Sequence, residues 1–412
     1  MNPPIAQYRN DINNYELERI FSGMKANPVE FVDIIIKEAV KYGASDVLLE
    51  PRKDTFLVRS RIDGVLYKFG EMSIDSYPEI TSRLKILSGL DPTEKRHIQE
   101  GQSTTTIDEK QVNLRVEIAQ TVHGELVVIR IHEKKSIAMD LSQLGLNNAA
   151  FQTFETMVKQ KSGLILVSGP TGSGKTTTLY STLIKLNENK DQNVMTIEDP
   201  VEFHLDGINQ MQVDEANGFT FAKGLSTILR LTPDIVLVGE IRDRETAKIA
   251  IESGLTGQLV LSTAHAEDSV RTLFRLMDLG VETYFLNSAL MGVIAQRLVR
   301  KSCTECKEIY QPTQKEIDIF TSVMGRSPKQ LIKSRGCEKC NNLGYKGRVG
   351  IFEVLYIDSG VRELLRMRAN EDRLKEALTK NGFITLLKDG LDKAENGITT
   401  IDEVLKNSLR VV

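Results

Sequence analysis

Nine consecutive residues near the middle of the chain have the types and spacing needed to hold a phosphate chain. They are Gly169, Pro170, Thr171, Gly172, Ser173, Gly174, Lys175, Thr176 and Thr177, between an apolar run and a helix-forming stretch. Such glycines let successive backbone N–H groups point at phosphate oxygens, and the helix adds its positive end. Lys175 can reach the β- and γ-phosphates, and the Thr176 hydroxyl can ligate Mg²⁺. The pattern predicts nucleoside triphosphate binding; the alternative is a chance glycine-rich turn.

Three later apolar strands each end in a side chain suited to triphosphate hydrolysis. Glu198 begins an acidic cluster, Glu240 ends a strand that resembles Walker B, and His265 ends the third. At the position before Glu240, where an aspartate is usual, the chain has Gly239. Because ligands of parallel sheets bind at the carboxyl ends of strands, we expect these groups beside the phosphates. Glu240 is then the group that orients the attacking water, Glu198 a second acidic helper, and His265 a γ-phosphate sensor. Helix-capping or surface carboxylates and a satisfied structural histidine are the plainer alternatives.

In the first third of the chain we expect strands at 44–50, 55–62, 65–69, 111–116 and 125–131, with a hairpin turn at Asp63 and Gly64. Arginines recur along these strands at Arg59, Arg61, Arg115 and Arg130. Each lies in an otherwise apolar or β-branched setting. Sites for triphosphate hydrolysis are often completed by an arginine from a neighbouring subunit. A surface built to meet phosphate is therefore one interpretation. The other is the solvated face of a sheet.

The four cysteines fall into two C-x-x-C pairs, Cys303 with Cys306 and Cys337 with Cys340. In a chain without a visible secretion signal, this pattern predicts a tetrahedral thiolate zinc site. The site is expected to be structural, because four protein thiolates leave no open position. The loop between the pairs is longer than usual, and a metal-free or redox-paired set is the alternative.

Composition narrows the class of protein. The chain has 412 residues, 41% apolar and 26% charged, with a formal net charge of −3. These values are typical of a globular protein of two or three domains and give no global basic field for nucleic acid. We find neither a secretory signal nor an apolar stretch of membrane-spanning length. We therefore expect a cytoplasmic protein that is recruited to any membrane at which it works.

The order of predicted elements indicates an α/β fold. Strands expected at 164–167, 194–197, 235–238 and 259–262 alternate with helices, which predicts a parallel sheet covered on both faces. We divide the chain into a lead-in (1–27), a smaller α+β domain (28–134), a linker (135–148), an ATPase domain (149–300), a tetracysteine zinc element (301–346) and a helical C-terminal region (347–412).

A series of motifs in fixed order resembles the assembly ATPases of type II secretion systems and type IV pili. The motifs are ASD at 44–46, RIDGVL at 61–66, the glycine-rich loop, TIEDPVE at 196–202, LR at 229–230, VGEIRD at 238–243, LTG at 255–257, STAH at 262–265 and the tetracysteine pattern. The resemblance covers about residues 28–412. It implies a PAS-like N-terminal domain, a RecA-like motor domain and a homo-hexamer that hydrolyses ATP with Mg²⁺. It also implies an inner-membrane platform protein as partner, assembly of pilin or pseudopilin subunits, and peripheral membrane association through partners.

The resemblance also assigns roles to single residues. Glu198 belongs to the family's aspartate box, Glu240 to Walker B and His265 to the histidine box. Arg115 and Arg130 match arginines that complete the nucleotide site. Arg230 matches another arginine near the nucleotide.

The chain departs from the family pattern at several positions. Leu48 and Gln258 stand where members carry histidines, and Ser226 is near the place of an additional arginine. We expect residues 1–27 to be too short to form the extra N-terminal domain by which many relatives bind their membrane partner. The tetracysteine element is typical of the extension branch and favours extension over retraction.

Two other functions compete with the motor. A DNA translocase of conjugation or DNA uptake is disfavoured by the acidic charge and by the lack of interleaved aromatic and basic residues, so no stable nucleic-acid binding is expected. A non-catalytic nucleotide-binding scaffold is disfavoured because Glu198 and Glu240 are both present.

Overall fold

The computed structural model describes residues 12, 15–22, 27–133 and 140–408. The chain forms two compact units, one from Met1–Ser136 with Arg335–Lys346 and the other from Ile137–Ser334 with Gly347–Val412. Most of the predicted lead-in and residues 135–139 of the predicted linker lie outside the described residues. None of the helices in the described ranges combines the length and the hydropathy that a membrane crossing requires.

The first unit is an antiparallel sheet packed on helices. Its helices are α1 (Tyr15–Ser22), α2 (Pro28–Lys41) and α3 (Tyr77–Leu87), and its strands are β1 (Ala44–Pro51), β2 (Thr55–Ile62), β3 (Val65–Ser73), β4 (Gln99–Ile107), β5 (Lys110–Thr121) and β6 (Gly124–Glu133). Within the described residues the strand order is β3-β2-β1-β6-β5-β4, and each neighbouring pair is antiparallel. Ile35 of α2 and Ile80 of α3 share one apolar core with Val47 and Val58 of the sheet. The helices thus cover one face of the sheet, as the predicted α+β unit requires.

Local signals explain where these elements begin and end. The Asn27 side chain accepts a hydrogen bond from the Val29 N–H at 3.0 Å, so it caps α2, and proline occupies the first helical position. Asp63 and Gly64 have φ of 49° and 85° and join β2 to β3 in the predicted tight hairpin. Strand β4 has no counterpart among the predicted strands.

The second unit contains the glycine-rich loop. Its helices are α4 (Asn148–Val158), α5 (Lys175–Leu186), α6 (Phe221–Ile228), α7 (Arg244–Thr256), α8 (Ser269–Asp278), α9 (Thr283–Ala289), α10 (Gln314–Met324), α11 (Ser359–Arg366), α12 (Glu371–Lys380), α13 (Leu386–Glu395) and α14 (Ile401–Ser408). Its strands are β7 (Gly163–Ser168), β8 (Val194–Glu198), β9 (Asn209–Gln212), β10 (Ile235–Val238), β11 (Leu259–Ala264), β12 (Leu290–Ser302), β13 (Lys307–Tyr310), β14 (Leu331–Ser334) and β15 (Tyr345–Tyr356).

The main sheet of this unit has the order β15-β12-β7-β11-β10-β8-β9. The strands from β12 through β9 pair in parallel. Consecutive residues of β7 alternate between two apolar cores, with Leu164 and Leu166 in one and Ile165 and Val167 in the other. The prediction of a parallel sheet covered on both faces is therefore confirmed. Strands β9 and β12 were not predicted from the sequence.

The C-terminal helices pack on the same unit. Val361 and Leu365 of α11 join the core beneath the sheet. The Asp389 carboxylate of α13 is buried, accepts hydrogen bonds from the Asn147 side chain at 3.0 Å and the Phe352 N–H at 2.8 Å, and pairs with Lys393. A buried carboxylate with this many donors holds its helix in one place.

Candidate phosphate-binding and catalytic site

The glycine-rich loop leaves the buried strand β7 and turns into α5. Gly169 has a φ of 154°, and a Cβ atom there would lie 2.5 Å from the Gln296 carbonyl oxygen, so only glycine fits. The Ser173 hydroxyl is buried and has no hydrogen-bond partner among the described residues. An unsatisfied hydroxyl inside the loop is consistent with a cradle for an oxygen-rich ligand. Pro170, Thr171, Gly172 and Thr176 are exposed, Gly174, Lys175 and Thr177 are half-buried, and Gly169 and Ser173 are buried.

The Lys175 ammonium lies across the loop. Its Nζ donates hydrogen bonds to the carbonyl oxygens of Gly169 at 2.9 Å and Pro170 at 3.1 Å. Burial lowers the pKa of Lys175, Glu240 opposes that change, and Arg297 adds to it. Lys175 is thus close enough to Glu240 for the two charges to interact.

Glu240 lies among three cationic or ionisable groups. Its side chain is 13% exposed, its Oε2 is 3.7 Å from His265 Nε2, and its Oε1 pairs with Arg242. Burial lowers the pKa of His265, as do Lys175 and Arg242, whereas Glu240 raises it. The structure therefore brings together Lys175, Glu240 and His265, which the strand ends predicted as neighbours. A carboxylate beside a neutral imidazole and an ammonium can orient and deprotonate water near a bound phosphate.

Arg242 was not predicted as a site residue. It lies two residues after Glu240 in the VGEIRD motif, and its side chain is 60% exposed. Its pKa is raised by the hydrogen bond to Glu240. The only sequence signal was a basic residue so close to a strand-end carboxylate.

The Glu198 carboxylate has a different environment. It is buried and accepts hydrogen bonds from the hydroxyl groups of Tyr180 and Thr196, the latter at 2.6 Å, and from Gln210 Nε2 at 3.2 Å. Burial, and then the bond to Glu198, raise the pKa of Tyr180. The main chain of Glu198 lies at the predicted strand end. In the described part of the chain, however, its carboxylate bonds to these three side chains and not to Lys175, Glu240 or His265.

Gly239 explains the departure from the usual Walker B strand. A Cβ atom there would lie 3.3 Å from the Glu198 Cα and 3.3 Å from the Ile197 carbonyl oxygen. The Gly239 N–H also donates to that carbonyl at 2.8 Å. A Cβ atom at this position would therefore crowd the backbone of β8, which favours glycine here.

Two further residues of the loop region come from β12. Gln296 is buried, its Nε2 donates to the Ser173 carbonyl at 2.6 Å, and its Oε1 accepts from Thr178 Oγ1 at 2.8 Å. Arg297 donates to the Glu267 carbonyl at 2.6 Å, just beyond His265. Sequence reasoning missed both because β12 was not predicted and because these contacts join residues far apart in the chain.

The predicted arginines share one face of the first unit's sheet. Arg115 lies directly opposite Arg130 on β5 and β6, and Arg130 lies opposite Asp46. Arg130 Nε is 3.2 Å and Arg61 Nε 3.6 Å from the Asp46 carboxylate. Three arginines and one aspartate therefore form a row of charged side chains across the sheet, on the side away from the helices.

Arg59 and Arg115 form ion pairs within the first unit, and Arg230 lies in the second unit. Arg59 binds both carboxylate oxygens of Glu50 at 2.6 Å, and this pair raises its pKa. Arg115 pairs with Glu100. Arg230 is exposed, two residues beyond the end of α6.

The cysteines gather into one cluster. The Sγ atoms of Cys303, Cys306, Cys337 and Cys340 lie within 4.8 Å of one another, and those of Cys337 and Cys340 are 3.8 Å apart. The Cys340 sulphur accepts N–H hydrogen bonds from Gly344 at 3.3 Å and from Cys337 at 3.2 Å. A tetrahedral zinc ion with Zn–S bonds of about 2.3 Å requires S–S spacings of about 3.8 Å. These residues can therefore hold a zinc ion.

Comparison with known proteins identifies the family. The family model described as "Type II/IV secretion system protein" matches residues 24–406. The chain is 42% identical over 378 residues to the type II secretion system ATPase E of Vibrio cholerae, covering 92% of this chain and 75% of the relative. It is 40% identical over 381 residues to the type IV pilus assembly ATPase PilB of Thermus thermophilus, covering 92% of this chain and 43% of the relative. The chain belongs to this family, so the resemblance and the P-loop ATPase that it implies are confirmed.

Solved structures agree at the level of the fold. The Legionella pneumophila ATPase DotB superposes with a TM-score of 0.67 at 20% identity, covering 96% of this chain and 97% of DotB. The pilus retraction motor PilT with bound ADP superposes with a TM-score of 0.58 at 24% identity, covering 90% of this chain and 95% of PilT. The chain therefore has the mixed α/β fold of secretion ATPases.

Proposed function

We propose that this chain is an ATP-driven motor for the assembly of pilin or pseudopilin subunits. The second unit would be a RecA-like motor domain and the first a PAS-like domain. Six copies would form a ring that acts on an inner-membrane platform protein from the cytoplasmic side. The observation that carries the proposal is the grouping of Lys175, Glu240 and His265 beside the glycine-rich loop.

The proposed roles follow from the surroundings of each side chain. The loop N–H groups and Lys175 bind the β- and γ-phosphates, and Thr176, exposed in the first turn of α5, offers its hydroxyl to Mg²⁺. A magnesium ion held by Thr176 would supply positive charge to neutralise the phosphates. Glu240 orients and deprotonates the attacking water, and a neutral His265 senses the γ-phosphate.

We also propose that Glu198 supports the site by holding β8 in place. Its carboxylate is buried and receives three hydrogen bonds, one of them from Tyr180 of α5. It therefore fixes the end of β8 against the helix that follows the loop. The catalytic role that the sequence predicts for Glu198 stays part of the proposal.

We assign the arginine row and the cysteines as follows. Arg115 and Arg130 complete the nucleotide site of a neighbouring subunit, with Arg230 as a further contact near the nucleotide. The four thiolates bind a structural zinc ion. The 3.8 Å distance between the Sγ atoms of Cys337 and Cys340 supports this assignment.

Three variants test this function. We expect the purified protein to hydrolyse ATP only with Mg²⁺ and to migrate as a hexamer in native mass spectrometry. Lys175→Ala should weaken ATP binding, whereas Glu240→Gln should retain it and lower kcat by about 100-fold or more. The matched control is Glu252→Gln, since Glu252 is an exposed glutamate on α7. Wild-type turnover in Glu240→Gln would contradict the assignment.

A further inference from the structure

Strand β12 runs beside the strand that leads into the glycine-rich loop. It pairs in parallel with β7, and Ala295 lies opposite Ser168, the last residue of β7. The next side chain along β12 is that of Gln296, which is 1% exposed. Gln296 therefore lies beneath the loop, where solvent cannot satisfy its amide.

Both polar atoms of the Gln296 side-chain amide form hydrogen bonds. Its Nε2 donates to the carbonyl of Ser173, within the loop, at 2.6 Å. Its Oε1 accepts from Thr178 Oγ1, in the first turn of α5, at 2.8 Å. A primary amide offers a donor and an acceptor in fixed, separate directions, which a hydroxyl or a charged group does not. Gln296 thus ties the loop to the helix that follows it.

The loop also lies against this residue. A Cβ atom at Gly169 would lie 2.5 Å from the Gln296 carbonyl oxygen, and one at Gly174 would lie 3.0 Å from its Nε2. Both ends of the loop therefore rest on Gln296. The direction of the Gly174 N–H depends on these contacts, because it shares one planar peptide group with the Ser173 carbonyl and turns with it.

We propose that Gln296 is a positioning residue that holds the loop N–H groups in their phosphate-binding directions. The inference rests on the proposed function, since it requires ATP in the loop. Gln296 does not touch the nucleotide itself; it acts through Ser173 and Thr178.

The test compares Gln296→Met with Gln296→Glu. Methionine keeps the length of the side chain and removes both hydrogen bonds. Glutamate keeps the shape but replaces the donor with an oxygen that faces the Ser173 carbonyl. We expect the KM for ATP and the Kd for ADP to rise about 10-fold in Gln296→Met and further in Gln296→Glu, while kcat falls less than about 3-fold.

The matched control is Asn187→Leu, at the opposite end of α5. Asn187 is another buried amide and donates its Nδ2 to the Asp206 carbonyl at 3.2 Å. Its loss should lower the Tm to a similar extent without changing the KM. A Gln296→Met protein with wild-type KM and Kd would overturn the inference, whatever its Tm.

A milder variant covers the case in which neither Gln296 protein folds. Thr178→Val removes only the hydroxyl that donates to Gln296, and we expect an increase of about 3-fold in KM. An unchanged KM in Thr178→Val would then count against the inference.

The same measurements separate this inference from the proposed function. If the wild-type protein binds no ATP, the proposed function fails and this inference with it. If the wild-type protein binds and hydrolyses ATP and these variants match it, only the inference fails.

Discussion

His265 Nε2 lies 3.7 Å from Glu240 Oε2, at the boundary between ion-pair contact and simple proximity. The same imidazole is affected by Lys175 and Arg242, both of which lower its pKa. Burial is the largest cause of the lowered pKa, but the charge on His265 also depends on Lys175 and Glu240, which we propose to act at the γ-phosphate.

This relationship predicts how His265 titrates. Burial and the two cations lower its pKa below 6.5, so the imidazole should be neutral at pH 7. Glu240→Gln removes the one group that raises the pKa, so the midpoint should fall further. Arg242→Ala should raise it. NMR titration of histidine-labelled protein measures each midpoint, with the assignment made from His265→Gln.

Two outcomes would contradict that prediction. One is a His265 midpoint at or above 6.5 in the wild-type protein. The other is an upward shift in Glu240→Gln, because removal of a nearby anion cannot favour the imidazolium.

Substitution at Gly239 should destabilise the protein. The Cβ atom of Gly239→Ala would lie 3.3 Å from two backbone atoms of β8 and 3.3 Å from the Phe221 ring, and backbone moves less readily than a side chain. We expect a loss of roughly 1–3 kcal/mol in the free energy of unfolding, measured by denaturant titration.

The matched control for this substitution is Gly360→Ala. Gly360 is in the first turn of α11, and its added Cβ would meet only an ordinary 3.4 Å contact with Asp358. We expect this variant to be neutral or slightly stabilised. Equal free energies of unfolding for the two variants would contradict a close approach of β8 to Gly239.

The cysteine cluster should hold one zinc ion per chain. Cys340→Ser removes a buried sulphur that accepts two backbone N–H groups, so the metal content measured by mass spectrometry should fall by at least about 10-fold. Chelation of the wild-type protein should lower its Tm without abolishing nucleotide binding. A fully loaded Cys340→Ser protein would exclude the proposed ligand set.

The ion pair of Glu395 should make the free energy of unfolding depend on pH. It receives two hydrogen bonds from Arg326, at 2.7 and 2.6 Å, and one from the Lys329 N–H at 2.6 Å. Arg326 lowers the pKa of Glu395 to about 2 from an ordinary 4.5. Because the folded pKa lies below the unfolded value, the stabilisation is complete above 4.5 and is lost as the pH falls towards 2.

Glu395→Gln tests this dependence. At pH 7 we expect a loss of about 2 kcal/mol in the free energy of unfolding relative to wild type. The difference should shrink as the pH falls below 4.5. A constant difference across that range would indicate that packing, and not charge, accounts for the contribution of Glu395.

The sequence predicted the parts of the fold that have strong local patterns. The four central strands of the parallel sheet are continuous apolar runs, and the hairpin at Asp63 and Gly64 has a known turn chemistry. Strand β4 was missed because its residues alternate between half-buried and exposed and are mostly polar, so it has no apolar face to detect. Such an edge strand is specified by its pairing with β5.

The candidate site was predicted in its backbone and only partly in its side chains. The strand ends predicted that Glu240 and His265 lie near Lys175, and in the structure they do, since parallel strands finish at one edge of the sheet. Their catalytic roles stay predictions. The partner of Glu198 could not be predicted, because Tyr180 reaches it through the packing of α5 on the sheet. Gln296 was missed for the same reason.

Asp46 lies between Arg130 and Arg61 on the open face of the first unit's sheet. The carboxylate attracts both guanidinium groups, and it also repels any other anion that approaches them. A phosphate can therefore engage Arg130 only in exchange for one acid already present. Such an exchange of anions releases little free energy in either direction, which would suit the reversible contact that we propose between Arg130 and the nucleotide of a neighbouring subunit.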